Sequence, residues 1–238
     1  MPDIRIDLPT GPALPAYFSP ARGAGAEGPA PGVVVVHEAF GLTTDIRELA
    51  DRFAALGFHA VAPDLLSHGG TARCLVSVMR ALGAGEGRPF AEIAAARAWL
   101  TDRDDCSGRV GIAGFCLGGA FAVLMANRGF DASAAQYGRL PRRLDAAVAG
   151  ACPLVASYGG RDGSLRGAAA RLETALAAAG VEHDVKEYPE AGHSFMNHST
   201  TPRWMRPLTT TLHAGYVDTA ATDAWNRISR MFDSALRD

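Results

Sequence analysis

The sequence predicts an α/β protein with a mostly parallel central sheet and helices on both of its faces. Three observations carry that prediction. Four consecutive valines in "VVVVHEAF" (33–40) suit a strand buried on both faces. Segments of helical apolar spacing separate such runs, and that alternation calls for crossover connections covering a parallel sheet. The chain has 238 residues, 48% apolar and 20% charged, as expected of one domain over 1–238 with a fully buried sheet.

Taken in order, two short strands near "IRIDLP" and "AYFSP" precede a Gly/Pro/Ala-rich connector, "ARGAGAEGPAPG". After the valine strand comes a helix that Thr44 or Asp45 can cap. Ile46, Leu49, Phe53 and Leu56 share its apolar face, and Gly57 ends it. "HAVAPDLL" is the next strand, followed by a helix around Phe90 to Leu100 and the strand "RVGIAGF". A helix starting near Leu117 leads to a weakly patterned strand, "DASAAQY", which the alternation requires. "PLVASYGG" is a stronger strand, Ser164 to Ala179 form a helix ended by Gly180, and "DVKEYPE" is the last strand. In the final helix Trp225, Ile228 and Phe232 fall on one face and dock on the sheet. Alanine is abundant, and Lys186 is the only lysine.

A formal charge of −2 and a pI near 6.4 leave no electrostatic footprint for nucleic acid or anionic lipid, and the arginines are scattered along the chain. No stretch approaches the roughly 20 apolar residues of a membrane helix. The start, "MPDIRIDLPTG", lacks the basic and apolar segments of a secretory signal, so the expected location is the cytoplasm. Cys74, Cys106, Cys116 and Cys152 form no CxxC pair, as expected of reduced thiols, and three of them fill small buried or half-buried spaces. His37, His193 and His198 lie near other polar residues but at no metal-ligand spacing, and no metal is expected. The expected partner is a small molecule, with neither nucleic acid nor membrane, and the chain is expected to be a monomer or weak homodimer.

The chemistry concentrates in "IAGFCLGG" (112–119). A central nucleophile flanked by glycines between strand and helix is a nucleophile elbow, which raises Cys116 at the carboxyl edge of the sheet. The following helix points its N-terminus at the sulfur, which favours thiolate, and the Leu117 N–H lies where an oxyanion needs a donor. A cysteine nucleophile needs a base and a group to orient it. Asp162 in "SYGGRDGS" follows one predicted strand and His193 in "PEAGHSF" follows the last, so the order along the chain is nucleophile, acid, histidine. Taken alone, Asp162 reads equally as a helix cap and His193 as a surface histidine. Glu38 in "VVHEAFGL" follows the valine strand at the same edge, where a carboxylate is costly unless used. Its functional reading is control of the thiol's protonation, with the Ala39 N–H as second oxyanion donor; the bland reading is a surface turn.

The motifs "HEAFGL", "APDLL", "GFCLGG", "YGGRD" and "AGHSF" together resemble the dienelactone hydrolase family over nearly the whole chain after the N-terminal strands. The resemblance implies the α/β-hydrolase fold without a separate lid domain and no cofactor. It also implies a Cys116, His193, Asp162 triad, with Glu38 partnering the cysteine until substrate displaces it. Family members that cleave dienelactone resemble one another in two arginines that grip the substrate carboxylate. Here His68 and Asn197 stand in those places, and neither reproduces an arginine fork. Arg73, in the same loop as His68, is a substitute candidate for the substrate pocket.

The reading is therefore hydrolysis of a carboxylic ester or lactone through a Cys116 thioester. Two alternatives stay open on these residues: a thioesterase or acyltransferase using the same triad, and a non-catalytic member that binds a ligand or senses oxidants through Cys116.

Overall fold

Apolar runs become strands wherever they can be covered on both sides. They are β1 (Asp3–Ile6), β2 (Leu14–Ser19), β3 (Ala30–Val36), β4 (His59–Pro63), β5 (Cys106–Phe115), β6 (Ala132–Gln136), β7 (Leu154–Gly159) and β8 (His183–Tyr188). In this computed structural model, which describes residues 3–22, 28–68, 71–198 and 212–237, they form one sheet in the order β1-β2-β4-β3-β5-β6-β7-β8. Only β2 runs against the rest, through antiparallel pairing with β1 and β4; from β4 to β8 every pair is parallel. This is the expected α/β architecture.

The helices are α1 (Thr44–Ala55), α2 (Thr71–Ala84), α3 (Arg88–Thr101), α4 (Leu117–Met125), α5 (Leu144–Val148), α6 (Ala168–Ala178) and α7 (Asp218–Arg237). Phe53 of α1 meets Trp225 and Phe232 of α7, so these two helices share one face of the sheet. Phe90 of α3 meets Phe121 of α4 on the other face. Val33 to Val36 of β3 have no exposed surface, and burial of each contributes roughly 1.5–3 kcal/mol. Trp225, Ile228 and Phe232 are buried as their spacing predicts. Among the described residues no helix is long and apolar enough to cross a membrane.

Several local expectations change. The cap of α1 is Thr43, not Thr44 or Asp45: its extended backbone puts the hydroxyl where it accepts from the Ile46 N–H. Asp45 is buried and bonded elsewhere. The helix expected over Ser164 to Ala179 is broken, because Gly167 takes φ 72; a 3-10 turn (Gly163–Leu165) precedes it and α6 follows. β3 begins at Ala30, inside the expected connector, of which residues 23–27 lie outside the described residues. Helices α2 and α5 were not expected. α2 buries Cys74 and Val78 but leaves Val76 58% and Met79 44% exposed, which blurs its period. His59 Nδ1 accepts from the Ala21 N–H at 3.1 Å, and its Nε2 lies 3.0 Å from the Asp105 carbonyl.

A buried arginine fixes α7. Arg227 is 3% exposed; its Nε and Nη2 donate to the Asp184 carboxylate at 2.8 Å each. Nη1 reaches Ser157 Oγ at 3.0 Å and Nη2 the Ala156 carbonyl at 3.1 Å. Burial alone would depress its pKa, but Asp184 and Tyr188 outweigh that and raise it. Arg227→Ala should cost about 2–4 kcal/mol in urea unfolding, because it strands the acceptors of β7 and opens a cavity. A loss under about 0.5 kcal/mol would show that α7 docks by its apolar face alone.

Candidate active site

Where β5 runs into α4, the chain turns through Cys116 at φ 54, ψ −109, a conformation most side chains avoid. Two glycines permit it. A Cβ on Gly114 would stand 1.9 Å from the Gly118 carbonyl oxygen, and one on Gly118 would stand 2.0 Å from that of Val36. The turn is thus pressed backbone to backbone between its own strand and the end of β3. The Cys116 N–H donates to the Gln136 carbonyl at 3.0 Å. The first-turn N–H of Leu117 has no acceptor within its own helix.

Asp162 follows β7, and its two carboxylate oxygens have different partners. Oδ1 caps the 3-10 turn, accepting from the Ser164 N–H at 3.0 Å and Oγ at 2.6 Å. Oδ2 lies 2.6 Å from His193 Nδ1. His193, in the loop after β8, places its Nε2 3.1 Å from Cys116 Sγ. Because β5, β7 and β8 are parallel, all three residues leave the sheet at the same edge. Burial works against the charged forms of both polar partners, and their contacts prevail. His193 and Ser164 hold the Asp162 carboxyl below its ordinary value. Asp162 and the Cys116 sulfur push the imidazole up to about 10, so the ring is imidazolium at neutral pH.

The loop after β3 completes the edge. Glu38 is 2% exposed; burial, and after it the charges of Glu38, Cys116 and Asp45, push the Tyr137 phenol well above its ordinary value. The neighbour of Glu38, His37, has no exposed surface. Nε2 accepts from the Leu65 N–H at 3.0 Å, so the proton sits on Nδ1, which donates to the Glu38 carbonyl at 2.6 Å. Burial lowers the His37 pKa. The ring is a neutral strut between the loops after β3 and β4, and it fixes the backbone that carries Glu38 and Ala39.

Of the three residues expected near substrate, Asn197 does not front a pocket. It is 3% exposed, its Oδ1 accepts from Tyr137 and its Nδ2 donates to Asp45. Asp45 also accepts from the His198 N–H at 2.8 Å. The Nδ2 end ties the histidine loop to α1 through Asp45, and the Oδ1 end ties it to Tyr137 after β6. His68 Nε2 lies 3.0 Å from Oε1 of Glu92, a carboxylate 1% exposed that also receives Arg88 Nη1 at 2.6 Å. Burial raises the Glu92 pKa against the pull of Arg88 and His68. Arg73 is exposed on α2. Sequence reasoning missed Tyr137, Asp45, Ser164 and Glu92. Only Ser164, two residues after the acid, carried a readable signal, that of an Asx turn. All four cysteines are free, with Cys74 buried and Cys106 and Cys152 half-buried. Among the described residues no group of His, Cys, Asp or Glu could hold a metal ion.

Several known proteins are similar to this chain. The family model described as the dienelactone hydrolase family matches residues 17–236. A protein of Methylorubrum extorquens, provisionally named a carboxymethylenebutenolidase, is 32% identical over 97% of this chain and 79% of its own length. The carboxymethylenebutenolidase of Pseudomonas putida is 29% identical over 77% of this chain and 83% of its own. A crystal structure of a provisionally assigned dienelactone hydrolase from Klebsiella pneumoniae superposes with a TM-score of 0.78 at 26% identity, covering 97% of each chain. The architecture is the α/β-hydrolase fold.

The shifted imidazole gives a direct test. By NMR, the His193 ring should titrate near pH 10 and remain protonated through neutrality. Cys116→Ala removes one of the two groups that raise it, so the midpoint should fall while Asp162 keeps it from collapsing. A wild-type midpoint near the ordinary histidine value of about 6.5, unmoved by Cys116→Ala, would contradict the coupling.

Proposed function

Because the chain belongs to the dienelactone hydrolase family, and with it to the hydrolases of ester and lactone bonds, we propose that it cleaves a carboxylic ester or lactone by acyl transfer through Cys116. The observation that carries this reading is the continuous relay from Asp162 through His193 to Cys116, at 2.6 and 3.1 Å. The Cys116 thiolate adds to the carbonyl carbon, and the carbonyl electrons move to an oxyanion held by the N–H groups of Leu117 and Ala39. Collapse of this adduct breaks the bond to the alkoxide, which takes its proton from the His193 imidazolium. Neutral His193, oriented by Asp162, then removes a proton from water as it attacks the thioester. The second adduct expels the thiolate, the acid leaves, and the imidazolium is restored. Glu38 acts as the resting partner of the cysteine until substrate displaces it.

Leaving-group ability sets the substrate class. A thiolate is expelled more readily than a simple alkoxide, so the first adduct goes forward only when the leaving group is good, as in aryl esters and enol lactones. Asn197 is fully bonded and His68 faces Glu92. Neither reproduces an arginine fork where the family's arginines would stand, which favours a substrate without a carboxylate there.

Cys116→Ala should lower kcat/KM on an aryl acetate by at least about 10³-fold, and intact-protein mass spectrometry should detect a transient acyl adduct only in the wild type. Aryl esters with and without a carboxylate on the acyl chain should differ by less than about tenfold in kcat/KM. Full activity in Cys116→Ala would overturn the mechanism. A preference of about 10³-fold for the carboxylate ester would overturn the substrate reading alone.

A further inference from the structure

Six arginines that are scattered in the sequence meet along one groove, which corrects the expectation that they form no patch. Arg128 from the turn after α4, Arg139, Arg142 and Arg143 from the segment before α5, and Arg166 and Arg171 from the start of α6 line a cleft of about 960 Å³. No Asp or Glu is among the residues that line it. Outside the groove some arginines are neutralised, as Arg22, Arg47, Arg109 and Arg237 each hold a carboxylate at 3.2 Å or less, while others, such as Arg73 and Arg80, stand singly among the described residues. None of the six groove arginines has an ion pair among the described residues. Arg128 alone has a side-chain hydrogen bond, to the Gly85 carbonyl at 2.6 Å.

Like charges gathered in a concavity repel one another, and here no internal carboxylate offsets that repulsion. The chain as a whole is slightly acidic, so the patch is local and not a by-product of a basic surface. The N-terminus of α6 opens on the same groove through Ala168, and Gly167 before it supplies no side-chain cap. Its unsatisfied N–H groups add to the attraction for an anion. Met79, Leu124, Leu140 and Leu165 give the groove an apolar component able to hold an organic body.

We propose that this groove is a second binding site, separate from the triad, for a small organic polyphosphate. Planar guanidinium forks match phosphoryl oxygens in pairs, and a ligand facing six of them must carry several negative charges. Cys116, Asp162 and His193 do not line the groove. It meets the triad only at Ser164, whose Oγ donates to Asp162. The apolar side chains beside the guanidinium groups favour a small molecule with an organic body over a polynucleotide backbone.

The test is calorimetric titration of the full chain with inorganic tripolyphosphate, alongside a short oligothymidylate. Tripolyphosphate should bind at one site at about 0.02 M salt and weaken by about tenfold or more at about 0.2 M. Arg142→Glu with Arg143→Glu should weaken it by at least about 30-fold while leaving aryl acetate hydrolysis unchanged. Arg166→Gln with Arg171→Gln is an independent pair should the first disturb folding. Absence of binding, or binding that neither pair alters, would overturn the proposal. So would tighter binding of the oligothymidylate, which would assign the surface to nucleic acid. Because the readout is binding, it stands whether or not Cys116 is the nucleophile.

Discussion

The approach of two backbones without a Cβ between them governs this molecule. Gly118 lies against the Val36 carbonyl and Gly114 against Gly118, so the elbow, the end of β3 and the start of α4 form one contact with no room for a side chain. That contact forces the unusual backbone of Cys116, and Cys116 bonds to β6 through the Gln136 carbonyl. Cys116, the first turn of α4 and the Glu38–Ala39 loop are therefore placed by main chain, which varies less than any rotamer.

The histidine side of the site is held by different means. His193 N–H donates to the Leu212 carbonyl, and the loop continues into Asn197, whose amide joins Tyr137 to Asp45. A buried polar chain of this kind must be satisfied at every member to be stable. It fixes the loop to α1 and leaves Asn197 with nothing to offer a ligand.

The fold and the meeting of Cys116, Asp162 and His193 at one sheet edge could be read from the sequence because each rests on a local signal. The valine run, the Gly-x-Cys-x-Gly turn, and an acid and a histidine after separate strands need only chain order to be interpreted. What could not be read depends on neighbours distant in sequence. Asp45 looks like a helix cap until Asn197, 152 residues away, is seen to claim it. Tyr137 reads as the end of a strand, and its φ of 41 arises from where β6 must stop. α2 escaped notice because part of its apolar surface faces outward. The arginine groove draws on three separate segments, none of which is rich in charge by itself.

The strand order leaves β1 and β8 at the two ends of the sheet. β1 is only four residues long and carries Asp3 and Arg5, while β8 presents Lys186 and Glu187 at its exposed positions. An incoming strand would have to lay its backbone beside these charges and strip their water, at a cost that each new hydrogen bond barely offsets. A protein with an apolar sheet at its centre thus carries charged side chains on both rims, where they raise the cost of edge-to-edge growth.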